Sequence, residues 1–251
     1  MTKKQRYVLF QMPEFMRRSI INAHVFYIEQ ARKLLLKQFD ELENQEKQRQ
    51  VMDEWLLENQ YRFNPDYHDG SEFYKEAFEQ LQALYELGGQ VRLSIVAGMY
   101  HEWEKQIKKW LTAEIKHWHT GEKVPQAIWK ANFGKIMEVL EQLGWDVKAE
   151  AYYSKLHECR LVTNVYKHGD GRTFGHLKND YPEYFPLNSN NYYFSNYTDF
   201  ADLTVNNTQL DAFSSAIVSF WEDVPENIYD DDGAKIPNWL QKAFDADAQQ
   251  I

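Results

Sequence analysis

The stretch from Val91 to about Trp118 sets the strongest limit on how this chain can fold. It contains no proline, and Leu93, Val96, Ala97, Tyr100, Trp103, Ile107, Trp110, Leu111 and Ile115 recur at three- and four-residue steps. That spacing lines one face of a helix of roughly eight turns. A stripe this long must be covered by other elements, and the remaining periodic segments repeat at the same helical step.

From Pro13 to about Asn59 there is no internal proline or glycine, and Ile20, Ile21, His24, Ile28, Ala31, Leu35, Phe39 and Leu42 form one stripe. Glu41 to Gln50 is nearly all charge and amide, which predicts a solvated stretch or a projecting helix. Turn residues at Asn64-Pro65-Asp66 and Asp69-Gly70 break the pattern, and Ser71 reads as an N-cap. Gly88-Gly89 predicts a kink or short turn before the long stripe. Further helices are expected over about Pro125–Leu143, Lys148–Lys167 and Thr208–Phe220. The segment 172–206 is rich in aromatics and amides and reads as an ordered loop, with a short strand at Asp202–Val205. The spacing therefore predicts an all-α helical bundle with minor β content at most. Its parts are a long N-terminal helical arm over 1–70, a core over 71–222 and an acidic tail over 223–251. That tail carries a peripheral helix near Trp239–Phe244.

Hydrophobic residues make up 43% of the chain, enough to fill a core and to exclude global disorder. The net charge of -10 argues against a dedicated nucleic-acid coat and fits a protein that neutralises a basic partner. The single cysteine, Cys159, excludes an internal disulfide framework and a cysteine-rich zinc module. No apolar run approaches a membrane span, and Tyr7–Phe10 is too short for a signal peptide, so a cytoplasmic location without membrane contact is expected. No cofactor is expected. His117 and His119 with Glu114 raise the idea of a metal site, but histidines two apart on a helix face different ways, and a frayed, solvated helix end is expected instead. His24 reads as a packed helix residue, and Trp103, Trp110 and Trp118 as core anchors.

Chemistry concentrates in the 148–167 helix. On a wheel, Tyr152, Leu156, Cys159, Val162 and Tyr166 form the core-facing arc. His157, Arg160, Asn164 and His168 share a stripe of roughly 80° beside it, ending at Gly169, with Lys167 in support. A histidine there can move a proton near neutral pH, and a guanidinium can hold a phosphate. The same residues also suit a solvated helix face, with His168 relieving the helix dipole. Both readings stand on residue types alone.

The run Leu156-His157-Glu158-Cys159-Arg160-Leu161-Val162-Thr163-Asn164-Val165-Tyr166-Lys167-His168-Gly169 resembles the signature helix of HEPN domains. These are helical modules of prokaryotic toxins, abortive-infection proteins and other defence systems. The segment Ser94–Glu104 is similar to the family's first core helix, and Asp202–Phe220 to its short extended stretch and final helix. The likeness covers about residues 90–222. It implies metal-independent RNA cleavage with His168 as acid or base, Arg160 on the phosphate and Asn164 positioning both, in a site shared across a homodimer. The chain departs from the pattern in carrying Thr163 where the family has arginine just before the asparagine. A second Arg-to-His spacing, Arg18 to His24, lacks the following glycine and reads as a chance match.

Two functional expectations follow from the resemblance. One is a binding protein of a bacterial conflict system, an immunity protein, antitoxin or scaffold, recognising a basic protein or a second subunit with weak or absent ribonuclease chemistry. The other is an active endoribonuclease toxin with RNA as substrate. A third class, a helical adaptor that oligomerises through the arm, needs no chemistry at all.

Overall fold

In the computed structural model, which describes residues 6–63, 70–186, 198–230 and 234–249, the long apolar stripe lies within one unbroken helix, Gly70–Ile115, of 46 residues. The turn expected at Gly88-Gly89 does not occur. Gly88 is buried, and a Cβ there would fall 2.9 Å from both Cβ and Cγ of Phe39. The glycine serves close packing between helices and leaves the helical path intact, at the modest entropic cost glycine carries inside a helix.

The helical stretch expected over 13–59 is divided. A strand β1 (Val8–Gln11) leads into α1 (Glu14–Ala31), which runs through one π-helical turn (Arg32–Leu36) into a short α2 (Lys37–Asp40). A 3-10 turn (Glu41–Glu43) follows, and the path breaks at Asn44. Its backbone is extended (φ -84, ψ 125), and its side chain accepts from the Glu46 N–H at 2.8 Å. That is an N-cap, and it starts α3 (Gln45–Asn59). No α3 residue is buried, and the helix packs on the first half of the long helix, α4 (Gly70–Ile115). Phe39, Leu42 and Leu81 form a small separate cluster at the base of this pair.

The expected arm over 1–70 is therefore not one unit. Phe10, Met12, Ile28 and Ala31 belong to the main core, whereas Phe39, Leu42 and α3 pack with the first half of α4 in the smaller cluster. The rest of the chain is α5 (Lys123–Lys130), α6 (Phe133–Gln142), α7 (Ala151–His168), α8 (Arg172–Asp180), α9 (Asn207–Asp223), strand β2 (Asn227–Tyr229) and α10 (Asn238–Ala248). The centre of the body is α7 packed on α4 and α9, with α1 covering α9. Trp103 is 1% exposed and sits 5.2 Å from the Phe220 ring, 5.5 Å from Tyr100 and 6.0 Å from Phe133. Truncating such a ring to alanine costs about 3–5 kcal/mol.

Three further expectations are corrected. The helix expected over 125–143 splits at Asn132, whose side chain accepts from the Lys135 N–H at 3.0 Å and caps α6. The first part of the expected loop is helical: α8 buries Leu177, and Phe174 meets Phe185 edge-on at 5.4 Å. Residues 187–197 of that loop lie outside the described residues. No strand forms at Asp202–Val205; a 3-10 turn (Phe200–Asp202) is followed by a segment whose Thr204 N–H donates to the Tyr184 carbonyl. The sheet is instead the antiparallel pair β1–β2, with Phe10 opposite Ile228, so segments more than 200 residues apart in sequence meet. The fold is an all-α bundle with this minor sheet. No helix among the described residues is long and apolar enough to cross a membrane.

Candidate functional site

α7 is buried on more of its circumference than its apolar arc alone requires. Leu156, Cys159, Leu161, Val162 and Val165 are in the core, and so are Glu158 and Thr163. The buried Glu158 carboxylate is satisfied by Lys155 Nζ at 2.7 and 2.9 Å and by the Tyr184 hydroxyl at 3.0 Å. It ties the 182–184 turn to α7. Thr163 is 0% exposed, so the position that holds arginine in the resembled helix points into the core here. The arginine on the accessible side is Arg160, one turn earlier.

His157, Arg160 and Asn164 are half-exposed, and Lys167 and His168 are exposed. His157 stacks on Tyr153 at 6.5 Å and lies 6.2 Å from the Phe133 ring. The Arg160 guanidinium sits over that same ring, 5.6 Å from the Phe133 centroid, a cation–π contact. Burial lowers the His157 pKa from its ordinary value, and Arg160 lowers it further, against the opposing pull of Glu158 and Asp180.

α4 supplies the facing groups. Burial lowers the His101 pKa, and the charge of Lys167 acts in the same direction, while Glu104 opposes. His101 Nδ1 stands 3.8 Å from Glu104 Oε2, and Lys108 Nζ stands 3.1 Å from Glu104 Oε1. Buried atoms at His101 Nε2 and Arg160 Nε have no hydrogen-bond partner among the described residues. No carboxylate stands within ion-pair distance of Arg160, Lys167 or His168 among those residues. The arrangement is thus a patch of positive and protonatable groups from two helices, able to receive an anion. His101, Glu104 and His176, the last of which also acts on His157, escape a reading of the α7 pattern because they come from other elements. Ser94–Glu104 contained the signal for the first two, since it drew attention for its likeness alone.

The patch has two ends. α7 is unbroken from Arg160 to His168, so these residues stand about 12 Å apart in rise. Gly169 ends the helix at φ 65, a conformation that L side chains rarely adopt. Its Cα faces the Phe200 ring, which a Cβ there would meet at 3.2 Å. Asn164 lies between the ends. One chain places Arg160 with His157 and Phe133, and it leaves His168 at the helix terminus.

The other histidines are placed as follows. His24 is buried, with Nε2 2.9 Å from Ser214 Oγ, as a packed residue. His119 is not a solvated end but binds Asp247 at 2.8 Å. Trp118 is 41% exposed and no core anchor; its indole N–H donates to the Leu9 carbonyl, and its ring stacks on Phe244. No group of three or more metal-ligating side chains assembles among the described residues. No protein-family model, curated protein or solved structure matches this chain.

Proposed function

We propose that this chain is a HEPN-like protein of a bacterial conflict system that works by binding a protein partner, with weak or absent ribonuclease chemistry of its own. The observation that carries this reading is the separation of Arg160 from His168 on one unbroken helix. About 12 Å of rise keeps the guanidinium and the imidazole from converging on a single phosphate within one chain. General acid–base catalysis needs its groups within hydrogen-bond reach of the same reacting atoms, and the separation of Arg160 from His168 along the helix works against that in one chain. The net charge of -10 fits a basic partner.

A second reading, an active metal-independent endoribonuclease with His168 as general acid or base, is favoured by Arg160, Lys167 and His168 having no ion-pair partner among the described residues. It requires a second copy to bring the two ends of the patch together. Inducible expression of the wild type and His168→Ala, scored for growth and RNA integrity, separates the two. The binding reading expects normal growth and intact RNA from both. Growth arrest with RNA cleavage that disappears in His168→Ala overturns it in favour of the nuclease.

A further inference from the structure

The hairpin of α3 and the first half of α4 stands apart from the main core, and α3 presents an outward face that none of the described residues covers. Gln50, Asp53, Glu54, Leu57 and Glu58 recur at three- and four-residue steps on that face, Tyr61 follows in the 3-10 turn Gln60–Arg62 that ends the helix, and all are exposed. Leu57 is 65% and Tyr61 81% exposed, so these are not the edges of a packed seam. The packed side of α3 is the opposite one, where Trp55 meets Phe73 at 5.3 Å. Asp53, Glu54 and Glu58 have no ion-pair partner among the described residues. Elsewhere on the hairpin, Glu76 is matched by Arg62 at 3.1 Å and Glu79 by Lys75 at 3.6 Å. The outer face thus combines two apolar knobs with three uncompensated carboxylates.

We propose that the outer face of α3 is the docking surface for a basic amphipathic helix of a partner protein. The inference rests on the reading of the chain as a binding protein and supplies the chemistry of what it binds. An apolar row at helical spacing is the signature of helix-on-helix recognition, with Leu57 and Tyr61 as anchors. The flanking carboxylates select lysine and arginine around that row and set the rate and salt dependence of association. They also decide against other occupants. A second copy would bring like charges together, and RNA or an anionic membrane would be repelled. Because α3 buries no residue, changing its outer face leaves the fold intact.

The test is a titration of the full chain with a labelled synthetic helical peptide of about 20 residues, long enough to be helical on binding. The peptide carries leucines at i, i+3, i+4 and i+7 flanked by lysines; a control replaces every lysine by glutamate. The expected result is saturable binding of the basic peptide alone, weakened about tenfold or more by Asp53→Asn/Glu54→Gln/Glu58→Gln and similarly by Leu57→Ala/Tyr61→Ala. Affinity should fall with added salt, with helicity by circular dichroism unchanged in both variants. Equal binding of the acidic control, or variants that bind as the wild type does, overturns the proposal. So does a concentration-dependent rise in the wild-type mass that Leu57→Ala/Tyr61→Ala abolishes, which would give the face to a second copy. RNA cleavage dependent on His168 would remove the binding reading at α7 and leave this titration to be judged by itself. Intact RNA with no peptide binding would remove only the α3 surface.

Discussion

His119 Nε2 lies 2.8 Å from Asp247 Oδ2, joining residues 128 positions apart in the chain. The same carboxylate accepts the backbone N–H groups of Lys123 at 2.9 Å and Val124 at 3.1 Å. Asp247 thus caps the start of α5 from α10, where an anion is favoured by the unsatisfied amides and the helix dipole. Burial works to raise the Asp247 pKa, but the bonds from His119 and the two amides outweigh it and hold the carboxyl below its ordinary value.

That direction fixes a pH dependence. A carboxylate whose folded pKa is depressed contributes stability that is present above its unfolded pKa, about 4. The contribution is lost as pH falls through the folded value. Asp247→Ala is therefore expected to lower the thermal midpoint at pH 7 and to release α10 first. The difference from the wild type should shrink as the pH is taken below about 4. Thermal melts across that range, with hydrogen exchange at α10, provide the check. A deficit that stays constant with pH would show that the carboxylate's charge contributes nothing.

Much of this body was legible in the sequence because helical period reports burial directly. Leu93 to Ile115 and Leu210 to Phe220 are core rows on the page and in the fold. The contacts that close the molecule were not legible. Asp247 reads as one more acid in an acidic tail, and only the return of α10 to α5 makes it a cap. The β1–β2 pair has three or four residues per strand, too few for a periodic signal, and its partners lie at opposite ends of the chain. The α7 stripe was visible as a pattern, whereas His101 and Glu104 join it only through the packing of α4 on α7. Gly88-Gly89 misled for a physical reason: glycine marks close approach as readily as it marks a turn.

The two glycines should respond in opposite ways to the same substitution. At Gly88 a Cβ would lie 2.9 Å from two atoms of Phe39, one of them that residue's own Cβ, which cannot swing aside. At Gly89 nothing lies within 4 Å. Gly89→Ala is expected to stabilise the chain by roughly 0.5–1 kcal/mol, through the entropy lost by the unfolded chain and better helix propensity. Gly88→Ala is expected to destabilise by about 1–3 kcal/mol, as α2 is forced off α4. Urea unfolding of both variants decides. Stabilisation by Gly88→Ala would mean that Phe39 repacks freely and that the hairpin base is looser than its geometry.

Arg160 and His157 are one turn apart on α7 and share the Phe133 ring, so the charge of one should be readable in the titration of the other. Burial and Arg160 both lower the His157 pKa. Arg160→Gln removes the second cause and leaves the first, so the imidazole should titrate at higher pH, nearer its ordinary value of 6.5. Arg160→Lys keeps the charge and should keep most of the depression. A lowered histidine pKa means that the folded chain favours the neutral ring. The associated stability is complete above the unfolded pKa and is lost as pH falls through the folded one, and Arg160→Gln narrows that window. NMR titration of the His157 ring proton on Cε1 in the three chains measures the shift. An unchanged midpoint in Arg160→Gln would place the guanidinium's charge in solvent. In that case Arg160 would be a packing residue on Phe133, and the patch would lose its strongest claim to hold an anion.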